Sequence, residues 1–159
     1  MRFEELFSEW EKDSVIDKTE LADEAIKIPK LHHKYYSLLS KERASLKKLE
    51  LDMKHLKLDK YEFYTMGHTE ETKKKDWKLP PRGIILKQDL NIYMEADHDI
   101  VDMSLRLGIL QEKIEFLVSI LDSLKTRGYL LKTALDFQDR KSTRLNSSHI
   151  PLSRMPSSA

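Results

Sequence analysis

The sequence predicts an all-α protein, elongated and built on two long amphipathic helices that assemble through coiled-coil-like packing. Three observations predict it. Charged residues make up 35 % and apolar residues 40 % of the 159, a mix suited to helices with much surface. Glycine and proline are scarce, at 4 and 5. Over two long stretches the apolar residues alternate by three and four, the spacing of a coiled-coil seam.

Phe3, Leu6, Phe7 and Trp10 share one helical face, so residues 3–12 read as a short amphipathic helix. Its acidic character offers a docking surface for a partner, while Trp10 offers ordinary core packing. Asp17 or Thr19 is placed to cap a second helix starting near Leu21, which Pro29 is expected to break or kink. A long helix then spans residues 30–64. Its stripe is Leu39, Leu46, Leu49, Met53, Leu56 and Phe63, with Glu42 and Lys60 filling the two remaining positions. Residues 65–86 hold Gly67, Pro80, Pro81 and Gly83 and read as a mobile loop. A short helix fits residues 87–96, although residues 84–86 also suit a strand. The last helix covers residues 99–137. Ile100, Met103, Leu107, Leu110, Ile114, Leu117, Leu121, Leu124, Gly128, Leu131 and Leu135 hold the three–four alternation without a slip. Ile109, Phe116 and Ile120 widen this face beyond what one neighbour covers. The expectation is self-association, with Leu107, Leu110, Ile114, Leu117, Leu121, Leu124 and Leu131 as the oligomerisation seam. The other arrangement is a monomeric helical bundle.

Residue 138 is where the helical pattern stops. Residues 139–149, DRKSTRLNSSH, are the string given by translating one frame of a common sequencing adapter. Residues 153–159, SRMPSSA, match its continuation, and residues 150–152 fall where a sample barcode sits. The expectation is therefore one domain over residues 1–138, a non-native disordered tail over 139–159, and a native C-terminus lost at the junction.

The net charge is +1, but it is segregated. Residues 1–28 hold four Lys/Arg and nine Asp/Glu, residues 30–87 fifteen and eight, and residues 88–139 five and ten. A basic middle between acidic ends points to a polyanion partner, or to ordinary solvated faces. With no cysteine, disulfides and thiolate metal sites are excluded. No apolar run approaches the roughly 18 residues of a membrane span, and the N-terminus lacks the character of a signal peptide. A soluble intracellular protein with no membrane association is expected.

The chemistry lies in the basic segment. Lys30, Lys34, Lys41, Arg43, Lys47, Lys48, Lys54, Lys57 and Lys60 lead into Tyr61, Phe63 and Tyr64. Lys54, Lys57, Tyr61 and Tyr64 fall on one helical face at spacings of three, four and three. Ammonium groups neutralise phosphates, and rings stack on unpaired bases, a pairing that favours single strands. The alternative is a solvated face whose rings join the core. Lys73, Lys74, Lys75, Lys78 and Arg82 surround Trp77 and either add a second strand contact or merely solvate the loop. Catalytic signatures are missing, and no cofactor is implied. His32 and His33 point to different sides of a helix. Asp97, His98 and Asp99 suit a helix start better than a cation site.

The order and spacing of several short motifs carry a resemblance. MRFEEL followed by Ile16, Asp17, Thr19 and Leu21 is similar to the start of the UvsY recombination mediators of T-even-like phages. Leu56, Lys57, Lys60, Glu62, Phe63, Tyr64 and Gly67 resemble that family's basic-then-D-Y-Y-x-G segment. Lys87, Asp89, Leu90, Tyr93, Glu95, Asp97, Asp99 and Ile100 resemble its K-x-D and Y-x-E-x-D stretch, and residues 124–129 its last-helix turn. Phe63 departs from the family's Tyr, and Gly67 lies one residue further on. The resemblance spans residues 1–138. It implies a homo-oligomeric ring that binds single-stranded DNA. It also implies help for a RecA-like phage recombinase in displacing the phage single-strand-binding protein, without hydrolysis, in the cytoplasm of the infected bacterial host. It implies DNA contact by Lys60, with Lys57 beside it. The competing expectation is a structural coiled-coil or adaptor protein with no nucleic-acid role.

Overall fold

The computed structural model describes the backbone of residues 1–154 and the side chains of residues 1–144. The helices are α1 (Phe3–Asp13), α2 (Leu21–Met66), α3 (Glu70–Lys74), α4 (Leu90–Ala96) and α5 (His98–Arg154). No strand occurs among the described residues, so residues 84–86 form none. No helix among them is long and apolar enough to cross a membrane. The chain divides into two units. One joins Met1–Leu38 to α5 from Phe116 onward, and the other is Leu39–Glu115.

In the first unit, α1 starts with the Glu5 carboxylate accepting from the Arg2 backbone N–H at 3.1 Å. Its apolar face packs on α5. Phe7 meets Phe116 edge-on at 4.6 Å, and Phe3 sits 4.6 Å from Phe7. Leu6, Tyr35, Leu117, Ile120 and Leu124 are almost wholly buried, each aliphatic one contributing about 1.5–3 kcal/mol. Trp10 meets Tyr35 edge-on at 5.5 Å, so core packing claims this indole. The end of α1 is closed from α5. Arg127 donates to the Asp13 carbonyl at 3.0 Å and to the Ser14 carbonyl at 2.8 Å, and its guanidinium lies 5.5 Å from the Trp10 ring. A cation at a helix C-terminus satisfies carbonyls that have no partner inside the helix.

Asp17 makes a turn ahead of α2, accepting from the Thr19 N–H at 2.9 Å. Pro29 does not break the helix as expected; α2 runs through it. Proline removes one helical hydrogen bond there, but tertiary contact outweighs the loss. Pro29 is exposed, while its neighbour Ile28 packs where a Cβ on Gly128 would lie 3.9 Å from Ile28 Cδ1. Helix α5 continues to Arg154, and residues 139–144 are exposed along it. No glycine or proline interrupts the chain between Gly128 and Pro151, so nothing local stops propagation. Residues 155–159 of the expected tail lie outside the described residues.

In the second unit the seams of α2 and α5 face one another. Leu39, Met53, Phe63 and Ile100 are buried, and the polar seam residue Glu42 meets Lys113 at 2.8 Å. The α5 seam expected to meet a partner copy packs in part within the chain itself. Leu117, Leu124 and Leu131 are buried within the first unit, and Leu107, Leu110, Ile114 and Leu121 are half-buried. The antiparallel return of the chain covers the stripe with its own α2. The apolar residues left exposed lie elsewhere on α5: Val101, Leu105 and Ile109 in one unit, Tyr129, Leu130 and Phe137 in the other.

Replacing Arg127 with Met leaves the aliphatic bulk and removes two charge-assisted hydrogen bonds. We expect a loss of about 2–3 kcal/mol in urea unfolding, with a red shift of Trp10 emission as α1 loosens. Unchanged stability would show that the α1 carbonyls are closed without it.

Candidate nucleic-acid interface

The second unit holds most of the basic residues expected from the sequence to meet a strand, and those of α2 fall into two groups with their neighbouring rings. Lys47, Lys48, Lys54, Lys57 and Tyr61 are exposed on α2. Lys60, Phe63 and Tyr64 are buried. The expected face of Lys54, Lys57, Tyr61 and Tyr64 is therefore split, because Tyr64 turns inward. The stripe that remains outside is Lys47, Leu51, Lys54, Leu58 and Tyr61, spaced four and three. Leu51 is 50 % and Leu58 55 % exposed. Sequence reasoning misses these two leucines, whose alternation with lysines is the available signal. Lys34, counted with the basic segment, is engaged in the first unit by Glu9 at 2.8 Å and Asp13 at 2.7 Å. Burial opposes the charge of Asp13, but bonds from Lys34 and Tyr35 hold its carboxyl below the usual range.

Lys60 occupies a seam position that a leucine would normally fill. Its ammonium lies 3.1 Å from Asp97, 2.8 Å from Asp99 and 3.8 Å from the centroid of the Trp77 ring. Lys60 and Asp97 are buried, while Asp99 is half exposed. Asp97 also accepts from the Tyr64 hydroxyl at 2.5 Å and from the backbone N–H groups of Asp99 and Ile100. It thus starts α5, as expected, and no metal-binding cluster of acidic and histidine side chains occurs among the described residues. Burial works against the charge of Asp97. The bonds from Tyr64, Lys60 and Ile100 outweigh it and hold the carboxyl below its ordinary value. Burial, reinforced by Asp97, pushes the Tyr64 hydroxyl well above the phenol range.

The segment expected to be a mobile loop is tied to this network. Gly67, at φ 93°, ends α2 in the left-handed region. Thr69 and Thr72 cap α3 reciprocally. Asp76, at φ 58°, closes it, with the Asp76 N–H on the Lys73 carbonyl and the Trp77 N–H on the Thr72 carbonyl. That double closure delivers Trp77 to Lys60 and to Phe63, which it meets at 5.4 Å. Gly83 closes a turn on the Pro80 carbonyl, and the Ile85 N–H then satisfies the Tyr64 carbonyl at the end of α2. Trp77, Leu79, Tyr93 and Met94 pack around the buried Phe63, Tyr64, Ile85 and Leu90. Lys73, Lys74, Lys75, Lys78 and Arg82 remain exposed on this fixed segment. The unit thus carries two exposed basic tracts, one on α2 and one around Trp77.

Asp97→Asn keeps the shape and removes the charge opposite Lys60. We expect a loss of about 3–5 kcal/mol at neutral pH, because a buried ammonium keeps only the half-exposed Asp99. The native carboxyl is lowered, so its contribution is complete above the ordinary value of 3.8 and fades as pH falls through the native value. Urea unfolding should show the parent's advantage over the variant constant from pH 7 to about pH 5 and shrinking below 3.8. An advantage that persists undiminished at about pH 2 would remove Asp97 as the anionic partner.

Comparisons with known proteins agree with this architecture. The profile of the family described as "Recombination, repair and ssDNA binding protein UvsY" matches residues 9–143. No curated protein matches the chain by sequence. A crystal structure of the bacteriophage T4 recombination mediator protein UvsY superposes with a TM-score of 0.74 at 24 % identity, covering 89 % of this chain and 98 % of that one. A second crystal form of that T4 protein gives 0.72 at 23 % identity, covering 89 % and 99 %. These likenesses concern the all-α fold with its two long packed helices. The family profile spans most of the chain, and the chain belongs to the UvsY family of recombination, repair and single-stranded-DNA-binding proteins.

Proposed function

We propose that this protein is a recombination mediator that binds single-stranded DNA as a homo-oligomeric ring. It loads a RecA-like phage recombinase in place of the phage single-strand-binding protein, in the cytoplasm of the infected host. The observation that carries the reading is the basic surface of a chain in a single-strand-binding family: Lys47, Lys48, Lys54 and Lys57 stand exposed beside the exposed Tyr61. Ammonium groups at that spacing neutralise phosphates along a strand, and the phenol ring offers a face to one base. One copy of so small a patch binds weakly. Several copies fixed in one assembly raise the effective concentration of each for its neighbour's strand. A strand held and bent in this way is easier for a recombinase to nucleate on.

Lys60 belongs to the fastening of the fold in this reading, with Phe63 and Tyr64, and the strand contacts fall to the exposed cations. Self-association falls to the apolar residues still exposed, Leu105 and Ile109 among them. The reading also keeps residues 139–159 as a non-native addition that assembly and DNA binding do without.

Changing Lys47, Lys48, Lys54 and Lys57 together to Gln should weaken binding to oligo-dT and flatten its salt dependence by about 0.7 in slope for each phosphate no longer neutralised. Helix content by circular dichroism should not change. Unaltered affinity and slope would take these lysines out of the interface. In sedimentation, a chain ending at Gln138 should assemble as the full chain does and bind oligo-dT in preference to duplex. A monomer indifferent to oligonucleotides at low salt would end the mediator reading.

A further inference from the structure

We propose that a cleft of about 540 Å³ lined by Trp77, Tyr93, Lys75 and Lys78 receives one unstacked nucleotide of the bound strand. The assignment rests on the single-strand-binding reading above and adds to it a built pocket for a base.

The size comes first. Clefts that take small organic ligands measure about 300–1,000 Å³ and combine an apolar lining with a few polar groups. This one offers the rings of Trp77, Tyr93 and the buried Tyr64, with Leu79, Pro80 and His98, and ammonium groups at its edge. Trp77 and Tyr93 are both half-buried, so each presents part of a ring to the cleft. Lys75 and Lys78 are exposed, and the Lys75 ammonium lies 5.1 Å from the Trp77 centroid. A π face and a mobile cation therefore stand within the span of one nucleotide, base on ring and phosphate on ammonium.

The ring is also held still. Lys60 lies against Trp77 at 3.8 Å and is itself anchored by Asp97 and Asp99, and Phe63 abuts the indole edge-on. The closure of α3 at Asp76 fixes the backbone on one side of the ring. A stacking surface already fixed loses little entropy when a base settles on it. The same network answers the charge problem. Asp76, Asp97 and Asp99 also line the cleft. Lys60 pairs with both Asp97 and Asp99, offsetting one of their two charges, and Asp97 is further occupied by Tyr64. Phosphate is accordingly expected at the lysine rim and the base further in. There the half-exposed Asp99 carboxylate can accept from the base's Watson–Crick edge, since each of the four bases carries an N–H donor there. The cleft thus discriminates for unpaired bases and against duplex, without reading sequence.

The two tryptophans allow a direct test with the full chain. Short oligo-dT should quench the emission of the parent and leave that of a Trp77→Phe variant, which reports Trp10 alone, unchanged. A strand of equal length lacking bases should bind about tenfold more weakly by anisotropy and cause no quenching. The exposed pair Lys75→Gln, Lys78→Gln should lose quenching affinity while keeping the parent's urea midpoint, which separates the site from the fold. The cleft assignment is overturned if oligo-dT binds with Trp77 emission unaltered, or if the base-free strand binds as tightly. Quenching by thymidine monophosphate at the concentration effective for the strand overturns it in favour of a free-nucleotide site. Each of those results leaves strand binding in place; failure of every oligonucleotide to bind overturns both readings.

Discussion

A lysine buried in a leucine seam needs its whole surroundings to justify it, and Lys60 shows how. Removing an ammonium from water costs several kcal/mol unless other charges and dipoles replace the solvent. Here they come from three parts of the second unit. The start of α5 supplies Asp97 and Asp99, the segment after α3 supplies the Trp77 ring, and α2 itself supplies Tyr64, which shares Asp97. None of these is adjacent in sequence to Lys60. The charge is tolerable only when the helix start, the connecting segment and the α2 end are all in place. A single desolvated charge therefore couples the start of α5 to elements that share the apolar cluster around Phe63 and Tyr64.

The same interaction pins the register. A seam of leucines on each helix would let α2 and α5 slide by a heptad at small cost. Glu42 and Lys60 interrupt the α2 stripe, and each meets its own partner across the helix pair, Lys113 and Asp97, about 25 Å apart along the helices. A slip of one heptad strands four charges in an apolar interface. Polar residues at seam positions commonly specify pairing at some expense of stability. In this chain they specify pairing within the molecule.

The sequence made the helices legible because their signal is local. Three–four alternation, a capping aspartate and scarce glycine are enough for α1, the bulk of α2 and the start of α5. What covers each stripe is a separate question, since one pattern serves a partner subunit and a returning helix equally. Pro29 misled because its cost is local, whereas the packing of Ile28 that offsets it involves a residue a hundred positions away. The connecting segment misled in the opposite sense. Its prolines and lysines look like a solvated loop, yet Trp77, Leu79 and Ile85 each fill a gap on Phe63 and Tyr64. Arg127 was invisible as a clamp, because its partners are backbone carbonyls, and backbone leaves no mark in composition.

At the candidate site the limit is of another kind. Sequence identifies a lysine as a charge but not as an available one. Lys57 and Lys60 are neighbours in a basic run, three residues apart, and local pattern treats them alike. Three residues along a helix turn a side chain by about 60° short of a full circle, enough for one to face water and the other the seam. The consequence for function is a division of labour among like residues. Lysines that are to meet phosphates must keep their hydration and mobility until a strand arrives, since counterion release supplies much of the binding energy. A lysine already paired with two carboxylates has no such freedom; Lys60 lies instead against the Trp77 ring. On the proposed reading, single-strand binding draws on exposed cations and fixed rings together, with the buried lysine packed against the Trp77 ring.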